Sequence, residues 1–492
     1  MFEYSRRNLV LILFAYLVVS SILYINLPMA EDESNIIYVS QKWNEGHIPY
    51  KDYSGDSKTP GMYYYTAFLL KFTDSMPILR SSIFLVNILA TVFLFMIASN
   101  LFDKKKGLLS AMLFLLLLLM PGMNGYFFIV DRLFVMFSLA AVYFFVKQIK
   151  NRSIGYILVS GLMAGIALVF KQLAVTLPAL FIIFFLCVVV NDAKRPNAFR
   201  QRKLAKTTVD SFILLIGIAI PVLIVVFHFA ALGGLNSMAY WVVKGVTNQF
   251  DAESIIVHPE TITSLNHIYQ FSVMAPFWIS SLIVSLALAV KILRKKVSRN
   301  EFFLFLWLLS TMHVMVLLLA FQAGQFAPLA IMTGLFFIDY RKKLGRTKAQ
   351  KTLVYALIVF MIGLSASVNI YSEYNLQTTR RAFYQQEIDV ANYIQSHTAQ
   401  GENIYVFGYR PSIFLLSDRD PPANAPVLGN FNIQVKNTYE NATITVLENQ
   451  KTNYVIHETL TKPEDAPVLF SYIQKNYDIE ATIGRFDVYR RK

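Results

Sequence analysis

Cysteine is almost missing. Cys187 is the only one in 492 residues, so no internal disulfide can form, and the redox compartment cannot be read from thiols. Charge is sparse too, at 15% against the roughly 25% of an ordinary soluble domain. There is no Gly-rich phosphate-binding turn and no HExxH spacing, which sets aside the common nucleotide and zinc signatures. What fills the chain is apolar. Hydrophobic residues make up 55%, and the mean hydropathy is +0.47. Most of the chain is therefore expected in lipid.

Hydrophobic runs fall at 9–27, 79–100, 108–122, 128–146, 154–170, 172–190, 209–232, 271–290, 302–321, 325–339 and 352–371. They read as about eleven transmembrane helices. The run 9–27 is long for a signal-peptide core and is taken as a retained span. The formal net charge of +14 sits largely in short loops. Arg6 and Arg7 precede the first run. Lys104–Lys106 follow the second, Lys147, Lys150 and Arg152 the fourth, Lys194–Lys206 the sixth, Arg294–Arg299 the eighth and Arg341–Lys351 the tenth. With alternating spans all these loops share one face, so positive-inside puts them, and the N-terminus, in the cytoplasm. The excess charge then reflects topology and anionic lipid, and no nucleic-acid partner is expected.

The opposite face receives the loop 28–78, a turn near Pro121–Phe127, the loop 233–270 and the tail. Two short interfacial helices are expected in the first loop, over Glu33–Trp43 and Gly61–Phe72, the second carrying Tyr63, Tyr64 and Tyr65. From Ser372 apolar runs shorten. Residues 382–396 have helical periodicity, 403–408, 453–458 and 484–491 read as strands, and Asp465–Lys475 as a helix. The fold class expected is an α-helical polytopic membrane domain over 1–371 with a small extracytoplasmic α/β domain over 372–492.

The chemically specific residues sit on the external face. Asp32 and Glu33 follow the first span, where lipid headgroups meet water. A carboxylate there suits a general base acting on a hydroxyl, and the alternative is a helix N-cap. Asp131 heads the fourth span; it is either a companion carboxylate or half of a structural pair with Arg132 or Arg80. Lys58 and Arg80 are cations against the positive-inside trend, as suited to a lipid phosphate as to a headgroup anchor. Lys171 interrupts an apolar stretch, as a functional cation or a snorkelling side chain. His228, His258, His267 and His313 lack metal-ligand spacing; Gln322 and Gln325 are weak cavity candidates, and Asn441-Ala-Thr is a formal glycosylation sequon.

In order and sidedness these residues resemble the GT-C superfamily of membrane glycosyltransferases, in the branch of the protein O-mannosyltransferases and the lipid A aminoarabinose transferase. The resemblance rests on Asp32-Glu33; on Gly46, Pro49, Tyr50, Asp52, Asp56, Lys58, Pro60 and Gly61; on Asp131; and on Gly161, Gly165, Ala167 and Lys171. It covers 1–180 most strongly. It implies an inverting transferase with a polyprenyl-phosphate-sugar donor and an extracytoplasmic lipid, glycan or protein acceptor, in a bacterial plasma membrane. By position it makes Asp32, Glu33 and Asp131 catalytic, with Asp32 and Asp131 as candidate ligands of a divalent metal ion, and gives the donor phosphate to Lys58, Arg80 and Lys171. Thr59 departs from the aminoarabinose branch, which has Pro there. The rivals are a transporter or flippase of lipid-linked saccharides and a non-catalytic assembly subunit. A transporter would place its charges nearer the midplane and show internal repeats.

Overall fold

A computed structural model of the chain describes residues 2–52, 58–119, 127–191, 197–249, 265–318, 326–340, 377–408, 410–422, 436–461 and 463–492, with Thr347, Thr352 and Gly363 as isolated positions. The chain divides into two compact units, each assembled from three stretches. The first comprises Met1–Ile25, Pro77–Val225 and Ile255–Tyr374; the second comprises Asn26–Met76, Val226–Ser254 and Asn375–Lys492.

The first unit is helical. It holds α1 (Phe2–Tyr24), and the second unit supplies α2 (Glu31–Asn44) and α3 (Gly61–Leu70) before the chain returns as α4 (Met76–Leu101). There follow α5 (Lys104–Leu118), α6 (Val130–Asn151), α7 (Ile154–Phe170), a single 3-10 turn Gln172–Val175, α8 (Thr176–Asn191) and the long α9 (Asn197–Ala231). Further helices span Leu265–Leu293, Arg299–Leu318 and Phe326–Leu335, the last running into a π turn over Phe336–Tyr340. Each expected run from 9–27 to 325–339 overlaps one of these helices within the described residues; the expected span 352–371 lies outside the described residues apart from Thr352 and Gly363. Among the described residues, five helices are long and apolar enough to cross a bilayer by length and composition. On α1 the large apolar residues Val10, Phe14 and Ile22 are exposed, as expected of a helix whose solvent is lipid. The chain is an integral membrane protein.

Packing in this unit follows membrane rules, with small residues permitting close helix approach. A Cβ added at Gly161 of α7 would collide with the Leu214 carbonyl of α9 and lie 3.0 Å from Gly217 Cα. One added at Gly165 would meet the Ile218 carbonyl and come within 3.0 Å of the Pro221 ring. The G-x-x-x-G spacing is thus the seam along which α7 meets α9. Helices α6 and α7 form a hairpin, turned by Arg152 in the left-handed region (φ 54°) and tied by Ser160 Oγ donating to the Ala141 carbonyl at 2.8 Å. Phe145 centres an aromatic core, its ring stacked 4.0 Å from Phe181 and 5.6 Å from Phe303.

The second unit contains α2, α3, α10 (Leu235–Gln249), a helix over 377–397 and a four-stranded sheet. The strands are β1 (Ile404–Phe407), β2 (Tyr454–Glu458), β3 (Tyr477–Ile483) and β4 (Phe486–Arg491), in spatial order β1-β2-β4-β3. β1 pairs parallel to β2, with Ile404 opposite Tyr454; β4 runs antiparallel to both β2 and β3. Short helices Pro411–Ser417, Lys436–Asn449 and Pro467–Asn476 connect them. The expected strands at 403–408, 453–458 and 484–491 coincide with β1, β2 and β4. β3 was not foreseen, because it is an exposed edge strand whose Asp478 and Glu480 interrupt any apolar run. The hairpin β3–β4 turns at Gly484 (φ +58°), a conformation costly for residues with a Cβ. The two short helices expected in the first loop are present as α2 and α3. In the sequon Asn441 is exposed and Thr443 is fully buried.

Candidate active site

In the second unit, α2 begins at Ala30, which is extended (φ −84°, ψ 159°) and has no capping oxygen. Glu33 supplies what Ala30 lacks: its Oε2 accepts from the Ala30 N–H at 2.9 Å, while Ser34 N–H donates to the Ala30 carbonyl at 2.9 Å. The Glu33 side chain is thereby buried, locked to the helix start. Glu31, Asp32 and Glu33 together place negative charge against the positive end of the helix dipole. Asp32 is not the N-cap. Its side chain keeps 54% of its exposure, and its Oδ1 lies 3.1 Å from Lys58 Nζ. Lys58 is held in turn, its carbonyl accepting from Tyr50 Oη at 2.6 Å; Tyr50 adopts positive φ (67°) inside an aromatic cluster with Tyr63 and Phe229. Beside it, Trp43 stacks on His228 and Tyr64 packs tilted against both rings, Tyr64 Oη bonding to His228 Nδ1. Burial pushes the Tyr64 phenol up to about 12.

In the first unit, Asp131 opens α6 and Lys171 ends α7, leaving it in extended conformation (φ −155°). Their side chains form an ion pair, each only partly exposed. Of the structural partners considered for Asp131, neither Arg132 nor Arg80 is the residue in this ion pair. Arg132 is fully buried on α6, and Arg80 on α4 is fully buried with its guanidinium turned to the end of α1. Arg80 Nη1 donates to the Tyr24 and Ile25 carbonyls at 3.5 Å, where α1 has no basic residue of its own. This places positive charge at the negative end of a helix. The three cations expected to hold a phosphate therefore rest on different acceptors: Lys58 on Asp32, Lys171 on Asp131, Arg80 on the α1 carbonyls.

Asp32 and Asp131 belong to different units. Among the described residues, no group of three or more His, Cys, Asp or Glu could hold a metal ion. Asp56, Gln322, Gln325 and His258 lie outside the described residues, as do the side chains of His267 and His313.

A second set of residues is barely announced in sequence. Glu31 forms an ion pair with Arg410, and Arg410 donates to Glu458 Oε1 from Nε at 2.9 Å and from Nη2 at 2.5 Å. Glu387 accepts from Ser412 Oγ at 2.7 Å and lies 3.3 Å from Arg485. Burial pulls the Arg410 guanidinium below the ordinary arginine value, partly offset by Glu458, and burial raises the Glu387 carboxyl. Because these partners are far apart in sequence, no local pattern announces them; the one signal was Arg410 itself, lodged in the apolar stretch FGYRPSIFLL.

The raised Glu387 carboxyl fixes the sign of a pH effect. A carboxyl that binds its proton more tightly folded than unfolded stabilises the fold below the unfolded value of about 4.3. That contribution fades as pH rises through the higher folded value. Thermal midpoints of the wild type are expected to lose this increment as pH rises above about 4. In Glu387→Gln, which cannot titrate, the same scan should be flatter over that window; an unchanged slope would remove Glu387 as its source.

Residues 57–225 match the family described as dolichyl-phosphate-mannose-protein mannosyltransferase. No curated protein matches the chain. Solved structures match along nearly its whole length. The archaeal oligosaccharyltransferase AglB from Archaeoglobus fulgidus, in complex with an inhibitory peptide and a dolichol-phosphate, aligns over 98% of this chain and 74% of its own, with TM-score 0.60 and 13% identity. ArnT from Cupriavidus metallidurans, bound to undecaprenyl phosphate, aligns over 98% and 97%, with TM-score 0.58 and 13% identity. The chain has the GT-C fold. At this identity the likeness shows the fold alone. AglB has also been solved in complex with zinc and sulfate (TM-score 0.52).

Proposed function

We propose that this GT-C protein is an inverting glycosyltransferase that moves a sugar from a polyprenyl-phosphate carrier to an acceptor hydroxyl outside the cytoplasm. The observation that carries the reading is the Asp32–Lys58 pair, a half-exposed carboxylate 3.1 Å from an ammonium on the loop that follows the first span. In this reading Asp32 takes the proton of the acceptor hydroxyl as its oxygen attacks the anomeric carbon. The bond from that carbon to the phosphate oxygen breaks, and the polyprenyl phosphate leaves with the electron pair. A single displacement inverts the anomeric centre. Lys58 and Lys171 oppose the charge that develops on the leaving phosphate, where a fixed cation is most effective. Arg80 contributes from within, by fixing the end of α1, and Glu33 by fixing the start of the helix that carries Asp32. Asp131 holds Lys171 in place. Residues 1–371 form the membrane domain and 372–492 the extracytoplasmic one, in a bacterial plasma membrane with the N-terminus in the cytoplasm. The lipid phosphates bound by ArnT and AglB support this class of donor.

The test is transfer from a panel of radiolabelled polyprenyl-phosphate sugars in membranes overexpressing the full chain. Label is expected to reach a lipid, glycan or protein fraction above the level of control membranes for one donor class. No transfer from any donor, with the protein folded, would favour a flippase or an assembly subunit.

A further inference from the structure

The helix that carries Asp32 is gripped along one face by the chain's C-terminal stretch. Glu31, Tyr38 and Lys42 are seven and then four residues apart, which at 3.6 residues per turn puts them on one side of α2. All three make polar contacts with the segment 410–420. Glu31 pairs with Arg410; Tyr38 Oη donates to Asp420 Oδ1 at 2.9 Å; Lys42 Nζ lies 2.8 Å from the same carboxylate. The Tyr38 ring packs 5.6 Å from Phe414 between them. Asp32, one residue on from Glu31, projects about 100° away from that face, toward Lys58.

The gripping segment is itself rigidly held. Asp420 gives its carbonyl to the Ile404 N–H of β1 at 3.0 Å. Arg419 is buried and donates to Thr398 Oγ1 and to the Thr398 carbonyl, both at 2.9 Å. Arg410 is fixed on Glu458, the last residue of β2, and Arg485 braces Glu458 and Glu387 at 3.4 and 3.3 Å. The chain of contacts runs from the sheet, through two arginines, to the first turn of α2.

We infer that Arg410 and Asp420 are positioning residues for transfer: through Glu31, Tyr38 and Lys42 they set the rotation of α2, and so the place where the Asp32 carboxylate meets the acceptor. The inference rests on the proposed role of Asp32. Removing Arg410 would leave Glu387 and Glu458 around Arg485 alone and would test folding instead, so the grip is better cut from its other side. Glu31→Gln and Asp420→Asn keep size and shape, and leave the buried Arg410–Glu458–Glu387–Arg485 cluster intact.

Two readouts on the full chain decide the matter. In hydrogen–deuterium exchange, the double variant Glu31→Gln/Asp420→Asn should speed exchange over 31–44 while β1, β2 and β4 keep their protection. Unchanged exchange over 31–44 overturns the inference whatever the activity. In transfer assays with the donor that the wild type uses, each single variant should lower kcat by about 10-fold and the pair by about 100-fold, with donor KM within about twofold, the signature of a misplaced group in a bound complex. A kcat equal to wild type, or a loss that merely follows a falling thermal midpoint, also overturns it. If the wild type itself transfers nothing, the reading of Asp32 fails, and exchange alone then judges whether the grip exists.

Discussion

Asp32→Asn is expected to abolish transfer in a protein that still folds. Losing a general base costs about 10²- to 10⁴-fold, and Asn cannot accept the hydroxyl proton although it keeps the shape of Asp. The cost to folding should be small. The Asp32 side chain is 54% exposed, and ion pairs at such positions are worth about 0–1 kcal/mol. Glu31 and Glu33 remain in the first turn to complement the helix dipole, and the Glu33 bond to Ala30 N–H is untouched. Initial rates with the active donor, read beside thermal midpoints in detergent, separate the two effects. A variant transferring at more than about a tenth of the wild-type rate would remove Asp32 from the reaction.

That separation is possible because the two neighbouring acids differ in environment. In sequence, Asp32 and Glu33 are one acidic pair with two readings, base or cap. The structure divides the readings between them: Glu33 turns inward and bonds the backbone, Asp32 turns outward to Lys58. Nothing local distinguishes them beforehand, since the choice depends on Ala30 having no oxygen with which to cap its own helix. The helices were legible for a simpler reason. In lipid every backbone group is satisfied within its own segment, so apolar length alone marks a span, and the expected runs within the described residues overlap helices down to the short α7, whose glycines mark its contact with α9. β1 and β2 were legible because every one of their residues is buried; β3 was not, being half exposed. The grip on α2 was illegible because Glu31 and Arg410, or Lys42 and Asp420, are brought together by the fold over several hundred residues of separation, and each looks like an ordinary surface charge in sequence.

The Asp131–Lys171 pair should show the second large effect, and it separates a structural from a chemical role. Both side chains are largely withdrawn from solvent, at 20% and 17% exposure. Asp131→Asn leaves an ammonium without its carboxylate, and Lys171→Met leaves a carboxylate without its ammonium. Each single variant is expected to lose about 1–3 kcal/mol of stability, the range for a withdrawn charge that loses its partner. Replacing both removes both charges, so the double variant Asp131→Asn/Lys171→Met should recover much of that loss, with a coupling of about 0.5–3 kcal/mol in the cycle. Transfer should not recover with it. If Lys171 opposes charge on the leaving phosphate, the double variant folds and yet transfers at least about 10-fold more slowly than the wild type, because a cation is missing where charge develops. A double variant that regains both stability and rate would make the pair a device of the fold alone, and would leave Lys58 as the ammonium facing the phosphate.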